Sequence, residues 1–237
     1  MQQHYKLLLP GMILALAIMA SPFASAQSSG NFTASINKTQ CTINTASGMP
    51  NSGGLNGGID NAHSVLDTYI KTSSGSGNTL IIRPSLVTGL FNNTEVTGAM
   101  ETSANSAAVV VSVTVDGQPV PPATSSTPGV IYDQRFQQLS SNVFDQISGC
   151  MMNNTCSIDL IESTLAAHSF DFVATNVTQG THHVVVSWEF QCTANGAPAA
   201  CSTAYTTNTA GACAGPGSVT VTQTKAFSQS SGVQVGP

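Results

Sequence analysis

The chain has 237 residues and a formal net charge of −5, and only 7% of its residues are charged, far below the usual ~25%. Six basic residues in all cannot neutralise many phosphates, which argues against nucleic acid and anionic lipid as partners. Glycans, proteins and further copies of the chain stay open, and solubility must come from Ser, Thr, Asn, Gln and Gly.

The first predicted element is a leader. "MQQHYK" carries one lysine, "LLLPGMILALAIMA" is an apolar run, and "SPFASA" ends in the small-x-small triplet Ala24-Ser25-Ala26. This order predicts a secretory signal peptide over residues 1–26, cut before Gln27. The run is shorter than the ~20 residues of a membrane span and contains Pro10. No later run is long and apolar enough to cross a membrane, so no integral membrane segment is expected after cleavage. The expected location is secreted, either extracellular or periplasmic. Cleavage leaves 211 residues, and because Lys6 goes with the leader the formal charge becomes −6. That length suits one domain able to bury about 70% of its unfolded surface.

Residues 27–62 are rich in Ser, Asn, Gly and Thr, as in "QSSGNFTASINKTQ" and "TASGMPNSGGLNGGID". Such a composition repays little ordering entropy by burial. A flexible polar arm is expected, with Cys41 as its staple. "NSGGLNGG" lacks the Lys-Ser/Thr ending of a phosphate loop.

A single domain is expected over 63–228. "HSVLDTYIK" reads as a short strand or a helical turn. "TLIIRPSLVTGLF" reads as a strand with Pro84 at an edge or bend. "NNTEVTGAMETSANS" is polar and marginal. "AAVVVSVTVDGQPV" is the clearest strand: Val109, Val111, Val113 and Val115 share one face, and Asp116-Gly117 favours a tight hairpin turn with a short return. For "VIYDQRFQQLSSNVFDQI" two readings stand. Tyr132, Phe136, Leu139, Val143 and Ile147 match one helical face over 133–147; the other reading is a strand through "VIYDQRF" followed by a short helix from Leu139. "SIDLIESTLAAH" is ambiguous, and "HSFDFVATNV" alternates with Phe170, Phe172 and Ala174 on one face. "THHVVVSWEF" places His182, Val184, Val186, Trp188 and Phe190 on one side and His183, Val185, Ser187 and Glu189 on the other. A direct hairpin between these two segments would oppose Phe172 to Val186 or to Trp188. Residues 192–213 read as a long loop, "SVTVTQTKAF" as the last strand with Val219 and Val221 inward, and 229–237 as a flexible tail.

All six cysteines follow the leader: Cys41, Cys150, Cys156, Cys192, Cys201 and Cys213. An even count in an exported chain predicts up to three disulfides. Cys150–Cys156 is the simplest pair, and two of Cys192, Cys201 and Cys213 are expected to join, leaving the third for Cys41. No CxxC or cysteine-histidine cluster has zinc spacing.

The residues following the leader include four histidines, His63, His168, His182 and His183. His63 has no acidic or cysteine neighbour at ligand spacing. Adjacent strand histidines point apart, so His182 and His183 cannot share one metal. His183, Asp171 and Glu189 form a weak candidate binding group on the outer face of the expected hairpin. Tyr69, Phe91, Tyr132 and Tyr205 are the aromatic candidates for stacking a sugar, with Tyr205 preferred because it lies in the stapled 192–213 segment. No GxSxG elbow supports a Ser-His-Asp hydrolase, nothing fixes a catalytic spacing among Glu95, Glu101, Asp159, Glu162 and Asp171, and no calcium loop or cofactor motif is present, so no catalytic residue, metal or cofactor is assigned. Asn31, Asn37, Asn92, Asn153 and Asn176 each begin an N-x-Ser/Thr sequence, a surface acceptor in hosts that glycosylate.

Many short β-runs without strand–helix alternation predict an all-β, antiparallel two-sheet sandwich with one or two short helices. "QGTHHVVVSW" and "GSVTVTQTKAF" resemble the last hairpins of secreted jelly-roll sandwiches, a likeness confined to about a quarter of the chain. The expected role is non-catalytic, by surface binding or assembly. A carbohydrate-binding module is the alternative, and an extracellular hydrolase or metal-dependent enzyme the third reading.

Overall fold

A computed structural model describes residues 31–43, 50–53, 63–75, 77–97, 102–122, 129–146, 150, 156–194, 197–199 and 209–225. Two antiparallel sheets face each other. In the first, β1 (Phe32–Asn37) pairs with β13 (Thr209–Lys225), β13 with β5 (Asn78–Thr97), and β5 with both β10 (Phe172–Val177) and β9 (Ser157–Ser169). In the second, β4 (His63–Thr72) and β12 (Ala197–Ala199) pair in turn along one side of β11 (Gly180–Ala194). There β11 pairs with β6 (Thr102–Val115), and β6 with β8 (Val130–Ser140) and the short β7 (Gln118–Pro119). Counting β9 and β10 as one bent strand, the orders β1–β13–β5–β9/β10 and β4–β11–β6–β8 are those of a jelly roll. The chain crosses the gap between sheets at nearly every connection.

The valine pattern of β6 folds as its period dictates. Val109, Val111 and Val113 are buried against Val184, Val186 and Trp188 of β11, and Leu80, Ile82, Phe172, Val219 and Val221 close the core from the first sheet. Asp116 and Gly117 make the expected turn, with φ 51° and 79°, the positive values that a two-residue hairpin of this twist requires.

Several elements differ from expectation. The arm expected over 27–62 contains strands. β1 pairs along its whole length with β13, and β2 (Gln40–Ile43) pairs with β3 (Pro50–Gly53). Cys41 joins Cys213 with a sequence separation of 172, tying β2 to the outside of the first sheet. Gly89 lies beneath: a Cβ there would come within 2.6 Å of the Cys41 sulfur and 2.8 Å of the Cys213 sulfur. The β2–β3 hairpin contacts β5 and β13. Phe91, whose parity sends it outward with Ile81 and Arg83, is nevertheless fully buried on this hairpin's side of the sheet.

Cys150–Cys156 forms as expected. It anchors a small second core with Val96 and Phe144. Cys192 is also disulfide-bonded, while Cys201 and the tail 229–237 lie outside the described residues. The segment 192–213, expected as a loop, contributes the end of β11, β12 and the start of β13.

Residues 133–147 do not form one helix. Strand β8 runs to Ser140 and a short 3₁₀ turn follows at Ser141–Gln146, close to the second of the two readings. The four-residue apolar spacing misleads because Tyr132 is the extra residue of a β-bulge: Val109 pairs with Asp133, Val110 with Ile131, and nothing pairs with Tyr132. Tyr132 is buried while Phe136 is exposed. The Tyr132 hydroxyl donates to the Pro84 carbonyl at 3.1 Å, and burial pushes its phenol above the ordinary value. Pro84 is not on an edge. It sits mid-sheet where the neighbour of β5 changes, between Ile82 opposite Phe172 and Ser85 opposite Ser169, so its missing N–H falls at a break in the ladder.

The polar residues 92–97 and 102–105 are strand, and their side chains bond across to neighbouring strands. Asn92 Nδ2 donates to the Arg135 carbonyl at 3.2 Å, Asn105 Nδ2 to the Asn93 carbonyl at 2.6 Å, and Thr94 Oγ1 to Gln137 Oε1 at 3.1 Å. Asn92 is fully buried, which removes it from the surface glycosylation candidates. Asn176 is exposed, Asn31 and Asn37 are half-buried, and Asn153 lies outside the described residues. No helix among the described residues is long and apolar enough to cross a membrane, and the disulfides fit an oxidising compartment.

Candidate functional site

The direct hairpin expected between "HSFDFVATNV" and "THHVVVSWEF" does not form. β10 pairs with β5, placing Phe172 opposite Ile82, whereas β11 pairs with β4 and β6. The link Thr178–Gln179 carries the chain from one sheet to the other. Asp171 and Glu189 therefore belong to different sheets, and the outer-face group expected of them with His183 is overturned. Asp171 instead receives a two-pronged bond from Arg83, Nε to Oδ1 at 2.5 Å and Nη2 to Oδ2 at 2.6 Å. This bond holds its carboxyl below the ordinary range. Glu189 accepts from Gln191 on the second sheet's exterior. Tyr205 lies outside the described residues.

What the crossover does assemble is a knot of polar groups at one end of the sandwich. Asp116, the first turn residue after β6, docks on β11. Its N–H donates to the His183 carbonyl at 2.8 Å, its Oδ1 accepts the His183 N–H at 2.8 Å, and its Oδ2 lies 2.7 Å from His182 Nδ1. The bonds from His182 and the His183 backbone hold the Asp116 carboxyl below its ordinary range. His182 is buried at the end of the inward row that continues with Val184, Val186 and Trp188. Its Nε2 lies 2.9 Å from the Thr178 carbonyl and 3.3 Å from Thr72 Oγ1. Beside the knot an open cleft of about 340 Å³ runs between Val115–Pro121 and Ala174–Thr178.

Asp116, His182 and Thr72 lie in the order carboxylate, imidazole, hydroxyl, but the hydroxyl is not poised as a nucleophile. Thr72 is buried. Its Oγ1 donates to the Thr178 carbonyl at 2.7 Å and accepts the Gly180 N–H at 3.0 Å. The proton a base would remove is already given to the Thr178 carbonyl, and one of the two oxygen lone pairs accepts from Gly180. The array fastens the crossover. A similar reading applies to His168, which lies 3.6 Å from Asp133 while Asp133 also accepts from Thr88 Oγ1. Glu162 accepts from Arg135 and Gln137. Glu95 and Asp159 stand opposite each other at the far end of β5 from the cleft, and Glu101 lies outside the described residues. No group of three His, Cys, Asp or Glu among the described residues has metal-holding geometry.

No known protein family matches the chain, and no curated protein is found as a relative. The site must be read from its own chemistry.

His183 keeps a place in that reading. It points outward and stacks on Tyr69, ring centroids 4.6 Å apart at 15°, and its Nε2 is 3.5 Å from Asp67 Oδ2. Register brings this about, since His183 lies opposite Tyr69 and Val185 opposite Asp67. Sequence reasoning named Tyr69 among the aromatic candidates but did not join it to His183, because the two are far apart in the chain. Asp116 was legible as a turn residue only; nothing local reveals what its carboxylate holds.

The knot gives a pH prediction. A carboxylate held below its ordinary range stabilises the fold above that range, and the stabilisation is lost as pH falls through the folded value. Wild type is expected to exceed Asp116→Asn in Tm at pH 6, with the gap closing below about pH 4. Thermal melts across pH 2–7 check this, and a constant gap would show that the charge is not the source.

Proposed function

We propose that the protein is an exported, non-catalytic β-sandwich that works by assembly, with a second copy docking on β1 and the exterior of the first sheet beside it. The observation that carries this reading is the polarity of β1, which is reversed. Phe32 and Ile36 are 65% and 72% exposed, while Thr33 turns inward and its hydroxyl meets that of Thr68 at 2.8 Å. Strand β1 is a sheet edge, and its sequence FTASIN contains no lysine or proline to block pairing with another chain.

Register extends the apolar surface inward. Phe32, Thr222 and Ile81 lie in one row across three strands, and from Ile36 a shallow groove of about 310 Å³ runs past Val87, Ala167 and Pro216. Between the row and the groove lies the Arg83–Asp171 pair. A patch holding a ridge, a groove and one charge of each sign complements itself under a two-fold axis, which favours a second copy over an unrelated partner. Low overall charge leaves little repulsion to oppose association, and the leader and oxidised cysteines support export.

Sedimentation at low micromolar concentration is expected to show a dimer or larger species that becomes monomeric in Phe32→Ser/Ile36→Ser. A strictly monomeric wild type overturns the reading. Carbohydrate recognition keeps separate support in Tyr69 on the other sheet. The hydrolase reading has least support, given how Thr72 is engaged.

A further inference from the structure

We propose that the exterior of the second sheet, around Tyr69, is a binding platform for a neutral oligosaccharide. This face lies across the sandwich from β1, so it does not depend on the assembly reading. Tyr69 is 62% exposed. One face of its ring rests on the His183 imidazole at 4.6 Å and 15°, which fixes the ring's orientation and leaves its other face open. A pyranose presents the complement, a face of C–H groups surrounded by hydroxyls. The C–H face stacks on a held aromatic ring at little entropic cost.

The surroundings supply acceptors for the hydroxyls. Asp67 lies two residues before Tyr69 on the same face of β4, its side chain 66% exposed. Asp116 borders the opposite side of His183, its side chain 51% exposed. Each of its carboxylate oxygens has one bond to β11 and a lone pair to spare. Farther along, Ser187 and Ser112 stand opposite each other on the outward row. A surface of aromatic ring, carboxylates and hydroxyls suits a ligand rich in O–H donors.

Charge selects among such ligands. Asp67, Asp116 and Glu189 share this face with Lys71 as a nearby cation, which disfavours uronic-acid and sulfated glycans. A divalent ion as occupant has no support, because no three-ligand group exists among the described residues.

The test is calorimetric titration of the purified protein with cello-, chito-, xylo- and malto-oligosaccharides, with polygalacturonate as the anionic control. At least one neutral sugar is expected to bind with low-millimolar or tighter affinity. Tyr69→Leu, which keeps a strand-compatible apolar side chain, is expected to weaken it about tenfold or more through loss of the stack. Asp67→Asn is expected to weaken it several-fold, and Phe32→Ser to leave it unchanged. The near-ultraviolet spectrum of Trp188 confirms that each variant is folded. Should Tyr69→Leu fail that check, sugar-induced shifts of the His183 ring resonances in the wild type decide, because its imidazole lies against the Tyr69 ring. No binding of any neutral sugar, affinity unaltered in folded Tyr69→Leu, unmoved His183 resonances or preference for polygalacturonate would each overturn the proposal.

Discussion

Removing the Cys41–Cys213 bridge, as Cys41→Ala/Cys213→Ala, is expected to lower the unfolding free energy by about 3–5 kcal/mol. The bridge spans 172 residues, and in the chain-entropy account a loop of that length restrains the unfolded state by about 5 kcal/mol. Measured losses are commonly somewhat smaller, because the unfolded chain keeps residual structure. Tm should fall by roughly 10 °C. The six-residue separation of Cys150–Cys156 predicts about 2 kcal/mol for its removal by the same relation, so the two variants should rank clearly in thermal melts. Equal losses would sink the loop-entropy account. The first variant should also release the β2–β3 hairpin and expose Phe91, read as faster amide exchange around Gly89–Phe91 before global unfolding.

Trp188→Ala is expected to cost about 3–5 kcal/mol, the range for deleting a large aromatic from a closed core. Trp188 is 1% exposed and belongs to the main cluster with Val111, Val186 and Val219. Its indole N–H has no acceptor among the described residues, so the residue is held by volume rather than by a bond. This separates two substitutions. Trp188→Phe removes the unpaired donor along with part of the volume and should cost distinctly less than alanine. Urea titration followed by far-ultraviolet dichroism measures both. A Phe variant as unstable as the Ala variant would mean that the indole nitrogen has a partner after all.

Local patterns were legible wherever a strand's own side chains decide its faces. Val109 to Val115 alternate, Asp116-Gly117 turns, and the reading of His182 and His183 as pointing apart holds in β11. The sandwich class followed from such pieces. Elements held by distant partners were not legible. β1 shows no core-directed apolar row in its sequence and becomes a strand because β13 pairs with it. The segment 92–105 looks marginal until Asn92, Asn105 and Gln137 are brought together across three strands. Adjacency in sequence misled most at Thr178–Gln179, where two alternating segments invited a hairpin and the chain instead changes sheets. A bulge at Tyr132 then mimicked a helical spacing. The candidate site suffered the same way, since Tyr69 and His183 meet only through the β4–β11 register.

The place of β13 has a consequence for how the chain can fold as it is made. The last strand among the described residues, β13 lies between β1 and β5, so a chain synthesised amino-terminus first exposes both neighbours before their partner arrives. β5, with 20 residues, then offers a long bare edge of the kind that captures other chains. β1 has no partner at all in its sheet. The jelly roll closes only when β13 is inserted as a wedge between its two neighbours.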